Sequence, residues 1–134
     1  MTEIVIDANI AIGWFRLPTA GVAAAALDAI SVDGAVVPAL WRWEVQEVLR
    51  RLAVGGNLAL SVEVALAEIR QLPITVDDDV SGLFGDALAL ATEHNLTVYD
   101  ASYLELAIRR RLPLATLDKQ LAAAARRAGA AFSA

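Results

Sequence analysis

The sequence predicts an α/β fold, a central and mainly parallel sheet held between two layers of helices in a three-layer α/β/α arrangement. Short apolar runs alternate with longer stretches of helical period, the pattern of strand–helix–strand units. The short runs are apolar throughout instead of alternating with polar residues, as expected of parallel strands covered on both faces. At 134 residues, with 57% hydrophobic and 20% charged residues, the chain is long and apolar enough to bury a core, and its composition argues against disorder. One domain spanning 1–134 is expected, without internal repeats or linkers.

Glu3-Ile4-Val5-Ile6 is a β-branched run ending at Asp7 and reads as the first buried strand. A short helix follows through Phe15, closed by Pro18, and the alanine-rich segment Ala20–Ile30 reads as a second helix. Gly34-Ala35-Val36-Val37 is the second strand, ended by Pro38. Leu40–Leu52 is a strongly amphipathic helix stopped by Gly55-Gly56. Leu60–Leu72 and Val80–His94 are further helices, punctuated by Pro73 and Asn95. Leu96-Thr97-Val98-Tyr99 is expected to be the third strand, with a helix over Ala101–Arg111 behind it. Leu114-Ala115-Thr116-Leu117 is the fourth strand, Lys119–Ala128 the last helix, and Ala130–Ser133 a short final strand after Gly129.

Charge and composition narrow the chemistry. No charge-free run, Leu17–Leu27 included, approaches the roughly 20 apolar residues of a membrane span. The N-terminus carries an acid where a secretory signal carries positive charge, and cysteine is absent, so a cytoplasmic protein without disulfides or thiolate metal sites is expected. A net charge of −5 argues against nucleic-acid binding through a broad basic surface, but not against a nuclease that holds one phosphate locally. The basic pairs Arg50-Arg51 and Arg126-Arg127 and the triplet Arg109-Arg110-Arg111 read as solvated helix ends. Asp77-Asp78-Asp79 reads as a loop and helix cap. Trp14, Phe15, Trp41 and Trp43 read as core or interface residues ahead of RNA-stacking platforms.

Three predicted strands end in an aspartate that opens a helix, at Asp7, Asp100 and Asp118. In a parallel sheet such ends share one edge, where open α/β sheets bind ligands. Aspartate is also a favoured helix N-cap, and that alternative stays open for each. Asn9 and Thr116 are polar neighbours able to orient a carboxylate or a water, or to serve the local backbone. Glu44 adds a different signal. It lies four residues from Leu40 and from Val48, inside the apolar stripe of Leu40, Trp41, Val45, Val48, Leu49 and Leu52. Glu47 instead faces Arg50 and Arg51 as an exposed pair. A carboxylate on the core face needs a metal, a proton or a partner such as Arg42 or a tryptophan N–H. Four converging acids suit a hard cation with oxygen ligands, of the kind that assists phosphodiester hydrolysis. His94 is the only histidine, which excludes a two-histidine ribonuclease mechanism and starves a zinc site of ligands. There is no glycine-rich phosphate loop.

The segments Ile4-Val5-Ile6-Asp7-Ala8-Asn9, Pro38-Ala39-Leu40-Trp41-Arg42-Trp43-Glu44-Val45, Thr97 to Ala107 and Leu112 to Asp118 resemble, in order and spacing, PIN-domain ribonucleases of the VapC toxin type. The resemblance implies that Asp7, Glu44, Asp100 and Asp118 form the acidic, metal-binding catalytic quartet, supported by Asn9 and Thr116. It also implies Mg²⁺ or Mn²⁺ as cofactor, an RNA substrate and a homodimer. The implied partner is a small antitoxin that blocks the site, often with an arginine, and that carries the contact to DNA. Two rival functions are weaker. A phosphatase using the first-strand aspartate resembles Asp-x-Asp, whereas Asn9 holds the third position here and Lys119 follows Asp118 directly. A purely regulatory role in a toxin–antitoxin complex on DNA leaves the intact quartet without a purpose.

Overall fold

The computed structural model describes residues 2–15, 21–58, 60–79, 81 and 84–133, and Pro18 with its predicted helix stop lies outside them. Four parallel strands, β1 (Ile4–Ile6), β2 (Ala35–Pro38), β3 (Ile74–Asp77) and β4 (Leu114–Ala115), form one sheet in the order β3-β2-β1-β4. The helices are α1 (Ala8–Phe15), α2 (Gly21–Asp33), α3 (Leu40–Val54), α4 (Val62–Arg70), α5 (Asp86–His94), α6 (Val98–Arg110) and α7 (Lys119–Arg127). This is the predicted three-layer α/β/α arrangement. The chain builds outward from β1 to β3 and then returns to add β4 on the other side of β1. The order therefore reverses between β1 and β4, and a crevice at their carboxyl ends follows from that topology.

Burial explains why the strands are apolar throughout. Every residue of β1, β2 and β4 is buried, because α2 and α6 both pack against β1 and β4, and α6 also covers β2. Edge strand β3 is half-buried, as one open side allows. Residues 101–107 of α6 are all buried, including Leu104 and Leu106, each contributing about 2 kcal/mol by removal from water. In α1, a Cβ at Gly13 would stand 2.7 Å from the Ala23 Cβ, so this glycine lets α1 and α2 approach closely. None of the described helices is long and apolar enough to cross a membrane.

Several expectations are corrected. Leu96–Tyr99 is not a strand. Thr97 is the N-cap of α6, its hydroxyl accepting the Asp100 N–H at 3.1 Å, so Val98 and Tyr99 are already helical. The third strand is instead Ile74–Asp77, directly after Pro73, and Asp77 closes it. Asp79 is not the cap of α5, whose N-cap is Gly85, and residues 80, 82 and 83 of the helix expected over Val80–His94 lie outside those described. Asp77 and Asp79 bond within the loop, to the Asp79 and Ser81 N–H groups, and α5 starts only at Asp86. The final segment makes one isolated bridge, Leu114 to Ala131, in place of a strand.

The Arg109–Arg111 triplet is likewise more than a solvated helix end. Arg109 donates to the buried Glu105 at 2.7 Å and to the buried Asp77, and Arg110 reaches Asp77 at 3.5 Å. Burial would raise the Asp77 carboxyl, but the Arg109 hydrogen bond, the Asp79 N–H and the two arginine charges outweigh it and hold it below the usual range. This network ties the end of edge strand β3 to the last turns of α6.

Candidate active site

Asp7 leaves the carboxyl end of β1 and is 3% exposed. Its Oδ1 accepts the Ile10 N–H at 3.1 Å, which caps α1, and its Oδ2 accepts the Thr116 hydroxyl. The Trp41 indole N–H donates to the Asp7 carbonyl oxygen at 3.2 Å and fixes the start of α3 over this strand end. Burial pushes the Asp7 carboxyl up to about 6; the Thr116 and Ile10 hydrogen bonds oppose the rise, and the Asp100 and Asp118 charges add to it.

Those charges come from the neighbouring elements. Asp100 stands in the first turn of α6, where Thr97 and not Asp100 is the cap. Its carboxyl is also raised, by burial first and then by the Asp118 charge. Asp118 caps α7 by accepting the Leu121 N–H at 2.9 Å, and its own N–H donates to Thr116 Oγ1 at 3.0 Å. Thr116 therefore links two of the acids, donating to one and accepting from the backbone of the other. The cap alternative is thus realised at Asp7 and Asp118 and not at Asp100.

Glu44 is half-buried on α3, with Trp41, Val45 and Leu49 of the predicted stripe buried around it. Its partner is neither Arg42 nor a tryptophan. The Tyr103 hydroxyl donates to Glu44 Oε1 at 2.5 Å. Tyr103 is completely buried, and burial, the Glu44 hydrogen bond and the Glu44, Asp7 and Asp100 charges hold its proton far above the ordinary tyrosine range. Sequence reasoning missed Tyr103 because a tyrosine on the inner face of a helix reads as core. The available signal was its place three residues after Asp100, on the same face.

Asp7, Asn9, Glu44, Asp100 and Tyr103 line one cleft of about 360 Å³, with Arg51 on its wall. Asn9 is exposed there. Asp118 does not line the cleft, although its charge is felt by both Asp7 and Asp100. Among the described residues, none of the four carboxylates is ion-paired with an arginine, lysine or histidine. Nor do three acidic or histidine side chains stand close enough to enclose a metal ion.

A parallel α/β/α domain with a carboxylate-lined cleft at the carboxyl end of β1, between α3 and α6, defines a class of ligand-binding α/β proteins. The sequence profile of the PIN domain family matches residues 4–127, and the chain belongs to that family. Among curated relatives, Ribonuclease VapC3 of Mycobacterium tuberculosis is 39% identical over 88 residues, covering 65% of this chain and 62% of the relative. Ribonuclease VapC3 of Pyrobaculum aerophilum is 57% identical over 37 residues, 28% of each chain. The chain therefore spans less than two thirds of the length of either relative. Of solved structures, PAE2754 from Pyrobaculum aerophilum superposes with a TM-score of 0.72 at 23% identity, over 98% of this chain and 88% of that one. That likeness concerns the fold.

Proposed function

We propose that this chain is a divalent-metal-dependent endoribonuclease whose reaction centre is formed by Asp7, Glu44, Asp100 and Asp118. The observation that carries this reading is the set of acids itself: four carboxylates from four elements, two with raised affinity for a proton, and no cationic side chain paired with them among the described residues. Such a set favours a cation. Its donors are hard oxygens, which suit Mg²⁺ or Mn²⁺. Magnesium commonly takes only one or two carboxylates directly and keeps waters, so an enclosing cage is not required. When bound, the cation would supply a more acidic water and charge stabilisation at the phosphate.

The chain's own residues position the parts. Thr116 holds Asp7 and the start of α7 in register, and Tyr103 holds Glu44 by one oxygen, leaving the other for the cleft. Asn9 offers an exposed amide at the cleft, and Arg51 a charge for a substrate phosphate. In hydrolysis the oxygen of water bonds to phosphorus and the P–O3′ bond breaks, giving a 5′-phosphate and a 3′-hydroxyl. The names of the relatives support RNA as substrate and a small antitoxin that silences the site; a homodimer is what the resemblance of the motifs to the VapC type implies. An arginine from that antitoxin would suit the unpaired carboxylates, since a guanidinium can bond two oxygens in one plane.

End-labelled single-stranded RNA incubated with the chain tests this directly. Cleavage is expected with Mg²⁺ or Mn²⁺, absent in EDTA, with 5′-phosphate ends. Cleavage that persists in EDTA, or leaves 2′,3′-cyclic phosphates, contradicts it.

A further inference from the structure

Trp43 departs from the core half of the expectation that the tryptophans serve the core or an interface. Trp41 is buried, but Trp43, two residues on along α3, is 64% exposed. It lines the acidic cleft together with Tyr99, 62% exposed and contributed by a different helix, α6. Trp43 and Glu47 also line a second recess of about 490 Å³, continued by Arg50, Val62 and Leu66. Trp43 therefore stands on the ridge between the acidic cleft and an adjoining hollow.

Three arginines stand around this ridge. Arg42 holds its guanidinium 5.5 Å from the centre of the Trp43 ring, Arg50 lines the second recess and Arg51 lines the cleft. Against these three cations, Glu47 is the exposed acid on this part of α3, paired with Arg50 at 2.7 Å and Arg51 at 4.0 Å. Three arginines beside an exposed aromatic, next to a cleft whose carboxylates Asp7, Glu44 and Asp100 suit a cation, offer a polyanion with flat hydrophobic groups a stacking face and phosphate contacts. Arg109, by comparison, is committed to Asp77 and Glu105.

We propose that Trp43 is a base-stacking residue, and that the adjoining recess receives the nucleotide next to the scissile phosphate in single-stranded RNA. This inference rests on the nuclease reading above. Base pairing would hide the flat face that Trp43 takes, so unpaired RNA is the form selected. Arg42 backs the stack with positive charge, while Arg50 and Arg51 follow the phosphates on either side of the ridge. The site would tolerate any base, because every base offers a π-face.

The test compares wild type, Trp43→Ala and Trp43→Phe on one unstructured oligoribonucleotide and on versions made abasic at single positions beside the cut. With Trp43→Ala, KM should rise about fivefold or more while kcat stays within about a factor of two, and Trp43→Phe should recover most of the loss. One abasic position should raise KM for wild type and leave Trp43→Ala unaffected. In an Asp100→Asn background, the intact oligonucleotide should quench tryptophan fluorescence, and Trp43→Ala should abolish the quenching. An unchanged KM for Trp43→Ala, or an abasic penalty of equal size in wild type and variant, overturns the proposal. So does a change in sedimentation of Trp43→Ala with KM unaltered, which makes Trp43 a contact between copies of the chain. If wild type cuts no RNA but Trp43-dependent quenching remains, the nuclease reading fails and the stacking site stands. If that quenching is absent as well, both fall.

Discussion

Asp7 gives one oxygen to the Ile10 N–H and the other to the Thr116 hydroxyl, yet a carboxylate offers about four lone-pair sites, so acceptor capacity remains. Helix capping and cation binding are therefore compatible in one side chain. Without a cation the arrangement is costly. The folded Asp7 carboxyl titrates near 6 where the free group titrates at 3.8, so the folded state holds its proton more tightly. Stability from this group is complete below about pH 4 and is lost as pH rises through about 6, a change of roughly 3 kcal/mol. Asp7→Asn removes the titration and keeps the shape. In metal-free buffer the variant should gain on wild type across that interval, as read by urea melts at several pH values; a difference independent of pH would contradict the assignment. Tyr103→Phe deletes only the donor to Glu44. Loss of such an outer partner typically weakens metal affinity or activity about 10–100-fold, which Mn²⁺ titration of the variant would measure. Unaltered Mn²⁺ affinity and activity would remove Tyr103 from the account.

At the scale of elements, β1, β2 and β4 were legible because each is a short apolar run bounded by a turn residue or an acid. Glu44 was legible for the opposite reason, as one polar residue inside an apolar stripe. The third strand was not. Leu96-Thr97-Val98-Tyr99 has strand-like composition, and what decides its structure is Thr97 bonding the Asp100 N–H, a capping geometry carried by a Thr-x-x-Asp spacing. Ile74-Thr75-Val76 is only three residues between Pro73 and three aspartates, and pairing with β2 along its length is what makes it a strand. Asp100 was consequently placed near the right partners by the wrong element. The same strand carries a network invisible from local sequence, since Asp77 and Arg109 are 32 residues apart. Removing one member leaves buried charge unpaired, which typically costs 3–5 kcal/mol. Arg109→Ala should fall near the low end, about 3 kcal/mol, because its side chain keeps 28% of its surface in water. Chemical denaturation reads this, and a loss under about 1 kcal/mol would show that Asp77 and Glu105 find other partners.

For the whole molecule, the parallel sheet brings Asp7 and Asp118 to one edge, and α3 and α6 deliver Glu44, Tyr103 and Asp100 to the same crevice. The resulting excess of negative charge is the central claim, because a row of helix caps would need no cation. Asp100 separates the two accounts: it caps nothing, and both burial and the Asp118 charge oppose its ionisation. The most direct measurement is thermal melting of wild type and Asp100→Asn at neutral pH, with and without Mg²⁺. A cation that binds only the folded state raises the melting temperature by mass action. Wild type should therefore melt higher in Mg²⁺, while Asp100→Asn should match or exceed metal-free wild type and lose most of the Mg²⁺ shift. Equal shifts in both proteins, or none in wild type, would contradict a metal centre built on these carboxylates.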